Sequence, residues 1–425
     1  LGSEAVVTGR NARLYAGDLT TNVSWAGGIA SGESLGIGVS VAVNDIDRTT
    51  QALIGDEVVE AGTTLRSDTS IDVTDGVQTL ARVSGDVWAF TIAGALVSED
   101  KQKDPTADQP QAKDPGKISI GSHRTNLSKV TDGQDEGSGT GLGIAAAASI
   151  NLINNTTTSR IADAGQINAG FVSVKAENDA GLVAATGGLA VVLGKSGDTS
   201  IALAGAFSFN FITADTIAEV QDTALFLSGN AAEAQNHILN VDALTNSSIF
   251  AIAAGGAGSI ASGENSSGGG GGQTAVSVAG SVAVNAITGD TNSAVRYGSV
   301  TIDDGDAQVR AQDDSSIFAI GGGLSLSVAT GKQGSSTAVS AGVAIAINLL
   351  DTDVSALIES NTTSWDAAGS GDLLVEAINT RDIGAYTLAG AVSVASGTEG
   401  NGVAGAGAAS GSVNQIAGDT TATVK

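Results

Sequence analysis

Acidic side chains recur along this chain at positions that the sequence marks as turns. They are Asp45, Asp47, Asp303, Asp304, Asp306, Asp351 and Asp353. Two roles suit such residues: an Asp side chain can bond the backbone of its own turn, or clustered carboxylates and turn carbonyls can bind calcium. The sequence contains no EF-hand loop and no glycine-rich nonapeptide calcium repeat. Calcium is therefore a weak candidate at these residues, and no other cofactor is predicted.

Groups suited to catalysis are scarce. The chain has two histidines, His123 and His237, and no cysteine, which excludes disulfides, thiolate zinc sites and cysteine nucleophiles. A glycine run at 268–272 lacks the GK[ST] that completes a phosphate-binding loop. The sequence therefore predicts no catalytic residue and no enzyme. A polysaccharide-modifying β-helix enzyme stays open as an alternative, because its chemistry needs only carboxylates near a cation or a basic side chain in a groove.

The composition restricts the fold and the partners. With 59 Gly, no Met and 3% aromatic residues, the core must use small and β-branched side chains, which favour strands. The net charge of −26 repels nucleic acid, anionic membranes and, at low salt, other copies of the chain. We expect no nucleic-acid partner, no membrane insertion, and lateral assembly that needs salt or divalent cations. An outer-membrane barrel is a further alternative, disfavoured because barrels need aromatic girdles.

A repeated segment organises the whole chain. It reads GVSVAVNDIDRTTQALI at 38 and GVAIAINLLDTDVSALI at 342, and each copy carries one Asn at the same place. These are Asn44, Asn151, Asn210, Asn285, Asn348 and Asn414. Their spacings are 107, 59, 75, 63 and 66 residues, a period of about 65 once a polar insertion at 99–140 is set aside. The predicted single array comprises units at approximately 1–56, 57–163, 164–222, 223–298, 299–360 and 361–425.

Residues alternate strictly within these segments. In GVAIAINLL, large side chains alternate with small ones: Val343, Ile345 and Ile347 share one face, and Ala344, Ala346 and Asn348 share the other. A period of two indicates strands. The pattern predicts an all-β, elongated β-solenoid or stacked-sheet array, with antiparallel hairpin repeats as the alternative. Because uncharged small faces mark close contacts, we expect both faces to be covered, one by the core and the small one by another sheet or chain.

The repeated Asn has two interpretations. It can end its strand as a turn residue that bonds its own backbone, or it can form a ladder between stacked layers. A ladder requires one layer per repeat. If each repeat instead formed three shorter coils, equivalent Asn side chains would lie three layers apart and could not touch.

The segments VSVAVNDIDRTTQALIGD and SVAVNAITGDTNSAV resemble the repeats of large, secreted bacterial filamentous adhesins of the leukotoxin type. The resemblance implies a β-solenoid, an extracellular or cell-surface location, and adhesive or biofilm-matrix roles. With the open edge expected at an end unit, it predicts a structural segment of a fibre, sheath, matrix or adhesin stalk. Its expected partners are copies of itself, joined through strand edges and small-residue faces, and cell-surface or matrix polysaccharide.

Overall fold

The computed structural model describes residues 5–55, 69–98, 140–194, 199–229, 237–263, 272–332, 334–359, 365–367, 371–398 and 400–425. The polar insertion, with His123, lies outside the described residues apart from Thr140. The described elements are all strands: β1 Val6–Leu19, β2 Asn22–Gly32, β3 Leu35–Gly55, β4 Ser70–Ser98, β5 Thr140–Ala169, β6 Phe171–Gly194, β7 Thr199–Leu227, β8 Leu239–Gly263, β9 Gln273–Arg296, β10 Ser299–Ile302, β11 Ala307–Gly331, β12 Ser336–Glu359, β13 Trp365–Ala367, β14 Leu373–Gly397, β15 Gly402–Ala417 and β16 Thr420–Val424.

Two long parallel sheets face each other. In sheet I, β1 pairs with the first half of β4 and β2 with its second half, and β6, β8, β11 and β14 follow in that order. In sheet II the order is β3, β5, β7, β9 and β12, and both β15 and β16 pair with β12. In each layer the chain follows one strand of sheet I, passes through the variable segment, and returns along one strand of sheet II. The predicted β-solenoid is confirmed. The antiparallel hairpin alternative is wrong, because every strand pair among the described residues is parallel, and the strands that flank a variable segment, such as β8 and β9, pair with the neighbouring layers.

Each repeat contributes one layer. Asn285 on β9 pairs directly with Asn348 on β12, which pairs with Asn414 on β15. The same register runs back through Asn210 and Asn151. Equivalent residues are therefore direct neighbours across the whole array, as a ladder requires.

A short third side closes each layer at the end away from the variable segments. There the beginning of β4 pairs with the end of β5, which pairs with the end of β7, and β10 and β13 continue the row. Large apolar side chains fill the space between the three sides, including Phe171, Ile167, Leu225 and Ile71. This end of the array has the wide core of a three-sided solenoid.

Toward the variable segments the two sheets converge. The buried side chains there are mostly Ala, and glycines replace them where the backbones come closest. A Cβ built on Gly188, Gly255 or Gly323 would lie 2.3, 2.4 or 2.2 Å from a carbonyl oxygen of the opposite sheet. Only glycine fits such an approach, so the recurring Gly positions set the thickness of this end.

In this converging part of the array, the small faces of the two sheets form the interior, and the large side chains point outward. Ala344 and Ala346 are fully buried, whereas Val343 and Ile345 are 38% and 37% exposed. The expectation that the small face is covered by another sheet is confirmed, and that sheet belongs to the same chain. One expectation is wrong as a result, because the face with the large side chains is not the core in this part of the array. Between inner layers the small-residue faces are already buried within the chain, whereas the end strand β15 leaves its small side chains exposed.

Candidate functional site: the asparagine ladder and the open edges

The six repeated Asn side chains form one continuous ladder. Each Nδ2 donates to the Oδ1 of the next layer: Asn44 to Asn151 at 2.6 Å, Asn151 to Asn210 and Asn210 to Asn285 at 2.7 Å, and Asn285 to Asn348 and Asn348 to Asn414 at 2.8 Å. The direction is the same at every step. The ladder interpretation is confirmed, and the strand-ending turn role is wrong because each Asn lies within a strand.

The inner members of the ladder are almost completely shielded from solvent. Asn151 and Asn210 are fully buried, and Asn285 and Asn348 are 1% exposed. In two layers a serine two residues earlier, such as Ser208 before Asn210, accepts a second Nδ2 hydrogen bond at 2.9 Å. Because an unpaired buried amide costs free energy, the ladder favours one register between layers over all shifted registers.

A second polar belt crosses the interior between the two sheets. Thr245 on sheet I bonds Thr216 at 2.8 Å and Thr291 at 2.7 Å on sheet II, and Asn155 donates to Asn178 at 3.1 Å. These residues are all buried. The belt separates the wide apolar core from a row of buried Ile and Leu beneath the Asn ladder.

The belt includes ionisable groups. Asp313, 1% exposed, accepts a hydrogen bond from Ser315, and burial raises the pKa of its carboxyl group despite the nearby Arg381. In the first layer Arg48 donates to Asn155 at 2.9 Å. Burial lowers the Arg48 pKa, and the Asp18 carboxylate partly opposes that shift. Burial therefore makes the charged form of each group less favourable than it is in the unfolded chain.

The predicted acidic residues do not converge on one centre. Asp45 and Asp47 point outward from β3, and Asp351 and Asp353 point outward from β12, several layers away. The prediction that these four residues lie at turns is wrong, because both strands continue through them as regular sheet. The triplet Asp303, Asp304 and Asp306 lies in the connection between β10 and β11. Within the described residues, no group of three or more His, Cys, Asp or Glu side chains is placed to hold a metal ion.

Some of these carboxylates bond the neighbouring layer. Asp306 Oδ1 accepts the backbone N–H of Asp372 at 2.8 Å, and Asp353 Oδ1 accepts that of Asp419 at 2.6 Å. Asp290 lies close to Asp215, Asp351 and Asp353, and its pKa is raised by burial first and by these like charges second. We call these four residues the acidic row of sheet II. Their carboxylates repel one another, although Asp353 also fixes the register by bonding the next layer.

Of the two histidines, only His237 lies in the part of the chain that the structure describes. His237 is partly buried and precedes β8, and its imidazole lies near the Asp242 carboxylate. Burial raises the Asp242 pKa more strongly than Lys175 and Arg310 lower it. The part of the chain that the structure describes has no helix long and apolar enough to cross a membrane.

Both ends of the array present strand edges. Among the described strands, β1, β2 and β3 at one end have only an inner neighbour, and β14, β15 and β16 do at the other end. Asn414, the last member of the ladder, is exposed. Ser336 N–H bonds Asn401 C=O at 3.0 Å, and in a parallel pair the backbone groups of alternate residues face opposite sides. The even-numbered residues of β15 therefore direct their N–H and C=O groups to the open edge.

These features define an all-β protein with a parallel β-solenoid fold, one layer per repeat, and an internal amide ladder. Comparison with protein-family models, with curated proteins and with solved structures finds no match to this chain.

The polar belt was not predicted. The signal for it was available in the sequence, since Thr216, Thr291 and Thr352 each follow the repeated Asn by four to six residues.

Proposed function

We propose that this protein is a structural segment of an extracellular fibre, sheath, matrix or adhesin stalk, and that it assembles along the solenoid axis through its open strand edges. One observation carries the proposal: β14 and β15 end the two sheets in register, with Asn414 at the end of the ladder. An added layer, from a second copy or from further repeats of the same polypeptide, would continue both sheets and the ladder.

The extracellular and cell-surface assignment is supported by the lack of cysteine, the strongly acidic composition and the resemblance to filamentous adhesin repeats. Cell-surface or matrix polysaccharide is the proposed second partner. Axial assembly has a physical basis, because a long unpaired strand edge is a template for pairing with another chain. Pairing would also bury the interior side chains that the end layer exposes on β15.

The test uses proline at the open edge. The variant Ala406→Pro/Ala408→Pro removes two N–H groups that face the edge and keeps those that bond β12. The control Ala406→Ser/Ala408→Ser keeps every N–H. We expect the unmodified chain and the serine control to form linear assemblies that lengthen with protein concentration in negative-stain micrographs, and the proline variant to stay short. Compact monomers of the unmodified chain at high concentration, with salt and calcium, would contradict the proposal.

A further inference from the structure

The outer face of sheet I carries a continuous apolar band. On β11 the outward residues from Phe318 to Val328 are Phe, Ile, Gly, Leu, Leu and Val. The corresponding rows on β4, β6, β8 and β14 contain only Ala, Gly, Val, Leu, Ile and aromatic residues, apart from Ser98. Polar rows bound the band, with Ser316 and Asp382 on one side and Thr330 and Ser396 on the other. We refer to these six rows as the sheet I band.

The band is too large to be an ordinary exposed surface. Eleven residues advance about 33 Å along a strand, and five strands span about 24 Å, which gives roughly 800 Å². Typical monomers expose apolar patches of about 300–600 Å², whereas a standard protein interface buries about 800 Å² per partner. Leu324 is 58% exposed and Leu388 is 69% exposed. The area therefore matches what one side of a stable interface needs.

The surface shape of the band, with alternating projections and gaps, is suited to packing against another protein surface. One row crosses the five strands as Gly94, Leu189, Gly256, Leu324 and Gly390, so leucines alternate with gaps that have no side chain. At the edge of the band, Phe250 and Phe318 stack with ring centroids 5.5 Å apart. Ridges and gaps in a fixed order can interdigitate with a second copy of the same rows, as side chains do in packed sheets.

Charged residues lie beside the band on the outer face of sheet I. Three ion pairs join neighbouring strands: Arg82 with Glu177 at 3.6 Å, Lys175 with Asp242 at 3.8 Å, and Arg310 with Glu376 at 3.3 Å. The exposed carboxylates of Asp86, Asp179, Asp314 and Asp382 make the face acidic as a whole, so two copies approach at an ionic strength near 0.15 M, where salt screens exposed charges. Sheet II has its own apolar rows, but its acidic row contains mutually repelling carboxylates, so two sheet II faces resist approach at low salt.

A lipid bilayer is a poorer occupant than a second copy. The band lies on strands of a sheet with open edges, β14 at one end and β2 at the other. Unpaired backbone groups at such edges are costly in hydrocarbon, whereas water satisfies them when the band alone is covered by protein.

We propose that the sheet I band is a lateral interface, in which the band of one copy packs against the band of a second copy. This surface differs from the axial strand edges, so the inference goes beyond the proposed axial assembly and can fail independently of it.

The test separates the two surfaces by using the edge-blocked Ala406→Pro/Ala408→Pro chain as the parent. Into this parent we introduce Leu324→Lys/Leu326→Lys, which places two charges in the band. The matched control is Ser316→Lys/Thr330→Lys, which places two charges on the same strand and face just outside it. All four positions are exposed, and circular dichroism verifies that each variant is folded. A milder Leu324→Ser/Leu326→Ser variant replaces the lysine variant if that one unfolds.

Sedimentation velocity in 0.15 M salt and flotation with phosphatidylcholine vesicles give the readouts. We expect the parent and the control to form dimers, the band variant to be at least tenfold weaker in dimer formation, and none of them to float with vesicles. A monomeric parent at high concentration, or a band variant that dimerises as well as the control, overturns the proposal. So does flotation of the parent that the band variant loses, because lipid would then be the occupant.

Discussion

Replacing one interior member of the amide ladder should destabilise the array far more than replacing its last member. In Asn285→Ala, the Nδ2 of Asn210 loses its 2.7 Å acceptor and the Oδ1 of Asn348 loses its 2.8 Å donor. Both groups are buried, and an orphaned buried donor or acceptor costs about 1–3 kcal/mol. The free energy of unfolding should therefore fall by roughly 2–6 kcal/mol, the sum of two such penalties.

Asn414→Ala removes the same side chain at an exposed position, where it leaves only the Asn348 Nδ2 without its partner. Water can replace that partner at the open edge, so the expected loss is about 1 kcal/mol or less. Asn292→Ala is a second control on the same strand as Asn285, with its side chain on the outer face. We expect a change within about 0.5 kcal/mol there.

The assay combines urea unfolding followed by circular dichroism with hydrogen exchange measured by mass spectrometry. Exchange is needed because layers of a repeat array can open separately. In Asn285→Ala, protection should fall first in β7, β9 and β12 around the ladder. The reasoning is refuted if Asn285→Ala costs no more than Asn414→Ala and leaves protection in these strands unchanged.

Two further predictions concern the converging sheets and the polar belt. Gly323→Ala should lower the free energy of unfolding by about 1–3 kcal/mol, because the new Cβ would lie 2.2 Å from the carbonyl oxygen of Val343. Gly322→Ala is the control and should not lower it, because the nearest atom to its Cβ is 3.8 Å away. Equal melting temperatures of the two variants would contradict this prediction. Burial raises the Asp313 pKa, so the folded state holds this proton more tightly than the unfolded state does. The free energy of unfolding should therefore fall as the pH rises from about 4 through the raised pKa. Asp313→Asn should flatten that decline in thermal melts between pH 4 and 7, with the exposed Asp314→Asn as its control, and an unchanged pH profile would rule out the assigned cause.

The strand pattern and the repeat were predictable, but the orientation of the faces was not. Alternation separates Val343 from Ala344 whichever one is buried, and hydrophobicity alone places the larger side chain inside. The structure reverses this because the glycine rows bring the backbones together, and only Ala, Ser and Gly fit between them. The same logic places Trp25 and Trp88 on the outer face, where they are 72% and 38% exposed.

The ladder could be proposed from the sequence but not chosen over the turn role, because Asn is a common turn residue. The deciding quantity was the number of layers per repeat. That number depends on whether about 25 residues continue as one straight strand, and nothing in the local sequence ends β11 or β12 earlier. The turn position was predicted correctly for the triplet Asp303, Asp304 and Asp306 but not for the acidic residues of β3 and β12, which lie within strands. The bonds of Asp306 and Asp353 to the next layer could not be predicted before the layer spacing was known.

The reversed packing explains why the ladder is needed. The converging part of the array, whose interior is mostly Ala, Gly and Ser, buries little apolar area per residue. It therefore contributes less of the usual driving force and distinguishes poorly between registers that differ by two residues. A shift of two would leave Ala against Ala but would misplace every Asn, leaving a donor and an acceptor unpaired in each layer. The amide ladder and the polar belt therefore supply the specificity that the small core lacks, while the large side chains on the outside remain available to hold separate arrays together.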